Sequence, residues 1–292
     1  MTVRVLTDTT SCLPPGLVHE AGLTVVPLHV MVSGGGAGRR EVEAREITPG
    51  EVVEIQRRGK ERVSTSRPSP GELAAAYREL ATRTGCAEIV SVHLSAGVSG
   101  TVEAAELARD EVAGDVTVHV VDSGVLGMAM GYAVCAGAAA AADGASAQDV
   151  VALVRRQADA SRTWFYVDTL EHLRRGGRIG RAAALVGSAL AIKPLLTIRD
   201  GVVHPAERVR TRIKALARLV DLSVEAVDAA RADGLEVRVA VHQLAAEEGA
   251  ADLARVLRER TGLEVDITEL DPVVGVHTGP GTLGVAVAPQ VP

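Results

Sequence analysis

Residues 87–123 read AEIVSVHLSAGVSGTVEAAELARDEVAGDVTVHVVDS. The run from Ala87 to Leu94 is a short, β-branched strand, and Ser95–Gly100 is a hydroxyl- and glycine-rich turn. The segment from Ser99 to Val112 has a helical composition, and Asp115–Ser123 is again a strand. Strand, helix and strand at this spacing make a crossover unit, which joins parallel neighbours in one sheet. The same alternation runs outward in both directions. Upstream, VRVLTD is a first strand, Pro14 and Pro15 open a helix, and LTVVPLHVMV is a second strand closed by Gly34–Gly38. Thr48-Pro49 with Glu51, and Ser69-Pro70 with Glu72, each combine an N-cap, an N1 proline and a capping-box acid. Downstream lie two Ala-rich helices, the second capped by Ser146. An α/β lobe with a mostly parallel sheet, flanked by helices on both faces, is predicted.

Character changes near Ser161. Asp200-Gly201 sits between two apolar runs and signals a hairpin. A long helix from about Thr211, a strand, a helix and two more strands complete a mixed-sheet α+β lobe. The length of 292 residues fits two domains, placed at 1–160 and 161–292. No apolar run is long enough to span a bilayer, and the longest, Val125–Ala142, reads as a buried helix. The N-terminus lacks the apolar core of a signal peptide. Cys12, Cys86 and Cys135 have neither disulfide-framework nor metal-site spacing, so a cytoplasmic protein with reduced cysteines is expected.

Composition limits the ligand. Only five aromatic residues occur, too few for a stacking platform on single-stranded nucleic acid. The net charge of -6 argues against a general nucleic-acid binder. Yet residues 174–214 carry ten basic side chains against Asp200 and Glu207, a local +8 suited to an anion or an acidic partner.

In open α/β sheets ligands sit beyond the carboxyl ends of the strands. The turns Asp8–Ser11, Ser95–Thr101 and Asp122–Ser123 fall there. Ser64, Thr65 and Ser66, just ahead of a capped helix, are hydroxyls placed to hold a carboxylate or phosphate. Ser95, Ser99 and Thr101, with Gly97 and Gly100 between them, form the second hydroxyl group; their spacing fits neither a nucleophile elbow nor a phosphate loop. Arg174, Arg175, Arg178 and Arg181 surround Gly176-Gly177. His277 lies between a strand and a Gly/Pro-rich turn containing Gly279. No histidine has metal-ligand spacing, so no metal is expected.

In order along the chain, VLTDTTSCLP, TSRPSPGE, VSVHLSAGVSGTVEAA, VVDSGVLGMAMG, FYVDTLEHLRRGGRIG, VGSALAIKPLLTIRDGVV and VVGVHTGPGTLGV resemble the bacterial DegV family of fatty-acid-binding proteins. The resemblance implies two lobes with one long-chain fatty acid between them and no other cofactor. It implies a cytoplasmic carrier, not catalytic alone, that presents the acid to a separate ATP-dependent fatty acid kinase and carries the acyl phosphate. Carried over motif by motif, the carboxylate would be held by Ser64 or Thr65, by Ser95 and by His277, with Arg178 near the head group. Ser66, Ser99, Gly97 and Gly279 are possible additions, and Arg174, Arg175, Arg181 and Arg208 would form a kinase-docking or phosphate surface. Ala96 and Arg67 depart from the serine and glutamine common in that family. Two rivals remain open: a small-molecule phosphotransferase on the same fold using His277, and a regulatory protein whose basic face binds nucleic acid. No nucleic-acid partner and no stable membrane insertion are expected on the first reading.

Overall fold

The structure is a computed structural model that describes residues 2–34, 39–185 and 193–292. Gly35–Gly38 of the glycine-rich stretch, and residues 186–192 of the VGSALAIKPLL motif, lie outside the described residues. In chain order the elements begin with β1 (Val3–Asp8), α1 (Pro15–Glu20), β2 (Thr24–Val26), β3 (His29–Gly34) and β4 (Arg39–Glu43). There follow α2 (Pro49–Arg58), β5 (Glu61–Ser66), α3 (Pro70–Thr84), β6 (Glu88–His93), α4 (Thr101–Glu111) and β7 (Thr117–Asp122). Next come α5 (Met128–Ala142), α6 (Ala147–Ala160), β8 (Arg162–Tyr166), α7 (Glu171–Arg175), β9 (Lys193–Arg199) and β10 (Val202–Val209). The chain closes with α8 (Arg212–Ala232), β11 (Val237–Leu244), α9 (Glu247–Thr261), β12 (Val265–Glu269), α10 (Pro272–Thr278) and β13 (Thr282–Pro289).

The first sheet has the order β2-β1-β6-β7 and is parallel throughout. Alternation along its strands serves two cores. Leu6 and Ile89 pack with α3 and α4 residues such as Leu73, Tyr77 and Ala104. Val5, Val90 and Val92 face Met130, Val134, Val150 and Val154 of α5 and α6. The apolar run Val125–Ala142 is therefore a buried helix, as its Gly/Ala content suggested. The last sheet, β10-β9-β8-β13-β11-β12, is antiparallel except for the parallel pair β11/β12. Helices α8 and α9 cover one of its faces. Its hairpin turns at Asp200 and Gly201, both with positive φ.

Three elements differ from the sequence reading. The run LTVVPLHVMV is two strands, because Pro27 has no N–H for a ladder. Its first part pairs with β1, and its second, β3, starts a separate antiparallel sheet β4-β3-β5. Ser64–Ser66 belong to β5 of that sheet, three residues before the Ser69 cap of α3. The residues Pro272–Thr278 form α10, started by the Asp271 side chain on Val273 N–H (2.8 Å) and by Pro272 at N1. Val273 and Val276 of α10 join the core around Val30, Val52 and Ile55, so this late helix packs on the early antiparallel sheet and α2.

A buried hub sits at the carboxyl ends of β1 and β6. Asp8 accepts from the N–H groups of Thr10 (3.0 Å) and Leu94 (3.2 Å) and from the Thr10 hydroxyl (2.5 Å), and it also meets His93 Nδ1 (2.9 Å). His93 Nε2 continues to Ser91 Oγ and on to Tyr77 (2.8 and 2.9 Å). Asp8→Ala orphans several buried donors at about 1–3 kcal/mol each. Chemical denaturation should show a loss of at least about 2 kcal/mol. An unchanged midpoint would contradict this role.

Candidate functional site

A cavity of about 380 Å3 lies where the three sheets meet, inside the usual range of about 300–1,000 Å3 for small-molecule sites. Its floor is the free face of the last sheet. Phe165, Gly284 and His242 are cross-strand neighbours there, with Thr163 and Ile198 in the next row. Its roof is Leu28 and Thr65 with Val273, Val274 and His277 of α10. The carboxyl ends of the parallel strands close it with Thr10, Leu94 and Leu126, as expected for such a sheet. Most of the wall is aliphatic. Thr65, Ser66, Arg67, Ser99, Arg178 and His277 line it, and Thr163, His242 and Thr282 add polar groups from the last sheet.

Thr65 and His277 are far apart in sequence and meet at 2.8 Å, Thr65 Oγ1 to His277 Nε2. Burial, with the Arg178 charge added, lowers the His277 pKa to about 4, so the ring is neutral near pH 7. His277 Nδ1 is enclosed and has no hydrogen-bond partner among the described residues. A Cβ on Gly176 would overlap that nitrogen, so only glycine lets the ring seat. A buried N–H without an acceptor is rarer and costlier than a bare lone pair. With the proton on Nε2, the ring donates to Thr65 Oγ1. The Thr65 O–H is left to point at a third partner in the cavity.

The other expected site residues separate into two groups. Arg178 lines the cavity, its Nε donating to Val98 O (3.0 Å) and its Nη1 to Gly176 O (2.6 Å). Ser66 and Ser99 also line the cavity, with Ser99 Oγ 2.8 Å from Thr101 Oγ1. Ser64, on the same strand as Thr65, is exposed and is not among the lining residues. Ser95 is buried in the rim. Its hydroxyl donates to Gly201 O (2.7 Å) and accepts from Gly97 N–H (3.1 Å). Gly97 lies so close to the hairpin tip that a Cβ would stand 2.6 Å from Gly201 O. Ser95 and Gly97 thus fix the rim to the β9–β10 hairpin, and their polar atoms are already engaged. Gly279 ends α10 with φ +77°. Arg174 and Arg175 are exposed and paired with Glu171 (2.7 Å each), which holds that carboxyl down to about 2. Arg181 and Arg208 are exposed.

Sequence reasoning placed Thr10 in a turn at the ligand end of the sheet but passed over His242. His242 is buried, and its Nε2 accepts from Met128 N–H (2.8 Å), which anchors the start of α5 to the cavity floor. Burial lowers its pKa to about 4. Its position at the carboxyl end of a strand was the available signal.

The DegV family profile, whose description is an uncharacterised protein family, matches residues 2–290. The chain belongs to the DegV family. It is 43% identical over 288 residues to a DegV domain-containing protein of Streptomyces coelicolor, covering 98% of both chains. A DegV family protein from Thermus thermophilus, described as fatty-acid binding, superposes with a TM-score of 0.87 at 34% identity and covers 99% of this chain and 100% of its own. DegV of Bacillus subtilis, described as a fatty acid binding protein, gives 0.88 at 31% identity, with 99% of each chain covered. The mixed α/β architecture is thus that of the family. No described helix is long and apolar enough to cross a membrane.

The two cavity histidines make a pH signature. Their folded pKa values of about 4 lie below the ordinary value of about 6.5. The unfolded chain therefore binds more protons between those limits, and stability is lost as the pH falls from 6.5 towards 4. Asp271, raised to about 6 by burial, acts oppositely: its contribution is complete below about 3.8 and is lost as the pH rises through 6. Histidine NMR should show His242 and His277 neutral at pH 5.5. Midpoints near 6.5 would contradict the buried, neutral assignment.

Proposed function

We propose that this chain binds one long-chain fatty acid, with its tail in the aliphatic cavity and its carboxylate at the Thr65–His277 end. The observation that carries this reading is the Thr65 Oγ1–His277 Nε2 contact on the wall of a mostly apolar cavity, with Arg178 also lining it. Solved relatives described as fatty-acid binding share the fold over nearly the whole chain.

The energetics divide between tail and head. Each buried methylene contributes about 0.8 kcal/mol, so a tail of about fourteen gains up to roughly 11 kcal/mol before ordering costs. The hydroxyl and the nearby Arg178 guanidinium set which end enters last. In this reading the lobes of residues 1–160 and 161–292 clasp the chain, and α10 carries His277 back across to β5. Thr65 and Arg178 hold the carboxylate, and His277 acts by orienting the Thr65 hydroxyl. Ser66 and Ser99 are secondary contacts, while Ser64 and Ser95 have lesser roles at the rim.

The carrier role follows from where the head group lies. Arg67, beside it, is partly exposed, so the carboxylate is within reach of the surface. We assign no catalysis to the chain alone. An ATP-dependent fatty acid kinase would phosphorylate the presented carboxylate, with Arg174, Arg175, Arg181 and Arg208 as its docking surface, and the chain would carry the acyl phosphate in the cytoplasm. A phosphotransferase centred on His277 fits less well, because its Nε2 is engaged with Thr65, its Nδ1 is buried against Gly176, and the cavity wall is mostly apolar.

Mass spectrometry of the purified, denatured protein should release one long-chain fatty acid per chain. A hydrogen bond to a charged group is worth about 1.5–3 kcal/mol, so Thr65→Ala should weaken binding roughly 10- to 100-fold, while Thr65→Ser retains it. Absence of lipid together with no binding of added fatty acid overturns the function; unchanged affinity in Thr65→Ala overturns the head-group assignment.

A further inference from the structure

Arg67 is held in an unusual position for a cavity-lining residue. It leaves the end of β5 two residues after Thr65 and crosses to the start of α4. There its Nη1 donates to Gly100 O (2.8 Å) and to Glu103 Oε2 (2.5 Å). Its guanidinium lies directly on Gly100, where a Cβ would overlap it. The side chain is 36% exposed and that of Glu103 is 69% exposed, so the pair stands where the cavity meets solvent. Arg178 reaches the same loop from the other side, at Val98 O. The loop Val98–Gly100 is thus bracketed by two guanidinium groups that both line the cavity.

We propose that Glu103 is a built-in competitor for the ligand's carboxylate: the two carboxylates compete for Arg67, and a bound fatty acid takes it from Glu103. This rests on the fatty-acid reading of the cavity. The exchange is balanced, one carboxylate for another on the same guanidinium, so it costs little in either direction. A solvent-exposed ion pair is worth only about 0–1 kcal/mol and is readily opened. The Arg67 side chain needs only rotamer changes to turn from the α4 side to the cavity side, since its backbone already adjoins Thr65. The consequence is a trimmed affinity: the tail could hold the ligand very tightly, and Glu103 lowers the head-group contribution so that the ligand can leave. Glu103 is also released to the surface on loading, so the mouth presents a free carboxylate only when the cavity is full.

The test is palmitate binding to the delipidated full chain by four proteins: wild type, Glu103→Gln, Arg67→Gln and the double variant. Glu103→Gln should tighten binding about 2- to 5-fold, and Arg67→Gln should weaken it by a similar factor. The double variant should match Arg67→Gln alone, because Glu103 acts only through Arg67. Raising the salt concentration should shrink the Glu103→Gln gain, since screening weakens the exposed pair. An unchanged or weakened Glu103→Gln overturns the competitor role, as does a gain that persists when Arg67 is already replaced. These outcomes presuppose a wild type that binds palmitate; failure of the wild type itself to bind overturns the fatty-acid reading instead. Glu103 is exposed and Arg67 partly exposed, and matched thermal unfolding of the four proteins checks that the fold is intact.

Discussion

The site depends on one long-range packing event: the docking of α10, formed near the end of the chain, onto the antiparallel sheet formed near its beginning. Val273 and Val276 enter the core of that sheet, and the same helix turns His277 towards Thr65. Everything local supports this placement. Asp271 caps the helix and Pro272 starts it, while Gln56 of α2 donates to Val276 O (3.1 Å) at its far end. Gly176 leaves the space that the imidazole occupies. Without the docked helix there is no roof over the cavity and no donor for Thr65.

Burial then sets the chemistry. A protonated imidazole is costly in an aliphatic enclosure, so both cavity histidines are neutral donors and acceptors of fixed sense. His242 holds the N-terminus of α5, and His277 orients a hydroxyl. Positive charge is supplied by arginine, which cannot lose its proton and stays near solvent. Affinity comes from an undirected term, the tail, and orientation from a few directed ones at the head. The low aromatic content agrees with this division, since a flexible aliphatic chain needs aliphatic walls.

The parallel sheet was legible because β1, β6 and β7 are apolar runs separated by capped helices, and the hairpin because Asp-Gly has few other uses. β4 and β5 were not. RREVE and ERVSTS carry charge and hydroxyls where a strand signal needs apolar alternation, and their order comes from pairing with β3. The helix α10 was hidden by Val-Val-Gly-Val, whose β-like content is overridden by the Asp-Pro start and by packing on α2. Thr65, Arg178 and His277 were legible as motifs and do converge. Their geometry was not legible, because proximity over 212 residues is a property of the fold. Ser95 shows the converse. A serine in a glycine-rich turn resembles a ligand, yet here its proton goes to the tip of a hairpin that no local pattern could have placed beside it.

The orientation of the ligand is the central claim, and a crystal structure of the protein with a long-chain fatty acid bound tests it most directly. The account predicts a carboxylate oxygen about 2.5–3.0 Å from Thr65 Oγ1, with the tail running over Phe165 and Ile198. A carboxylate at the opposite end, against His242 and the start of α5, or an acid bound outside this cavity, would contradict it.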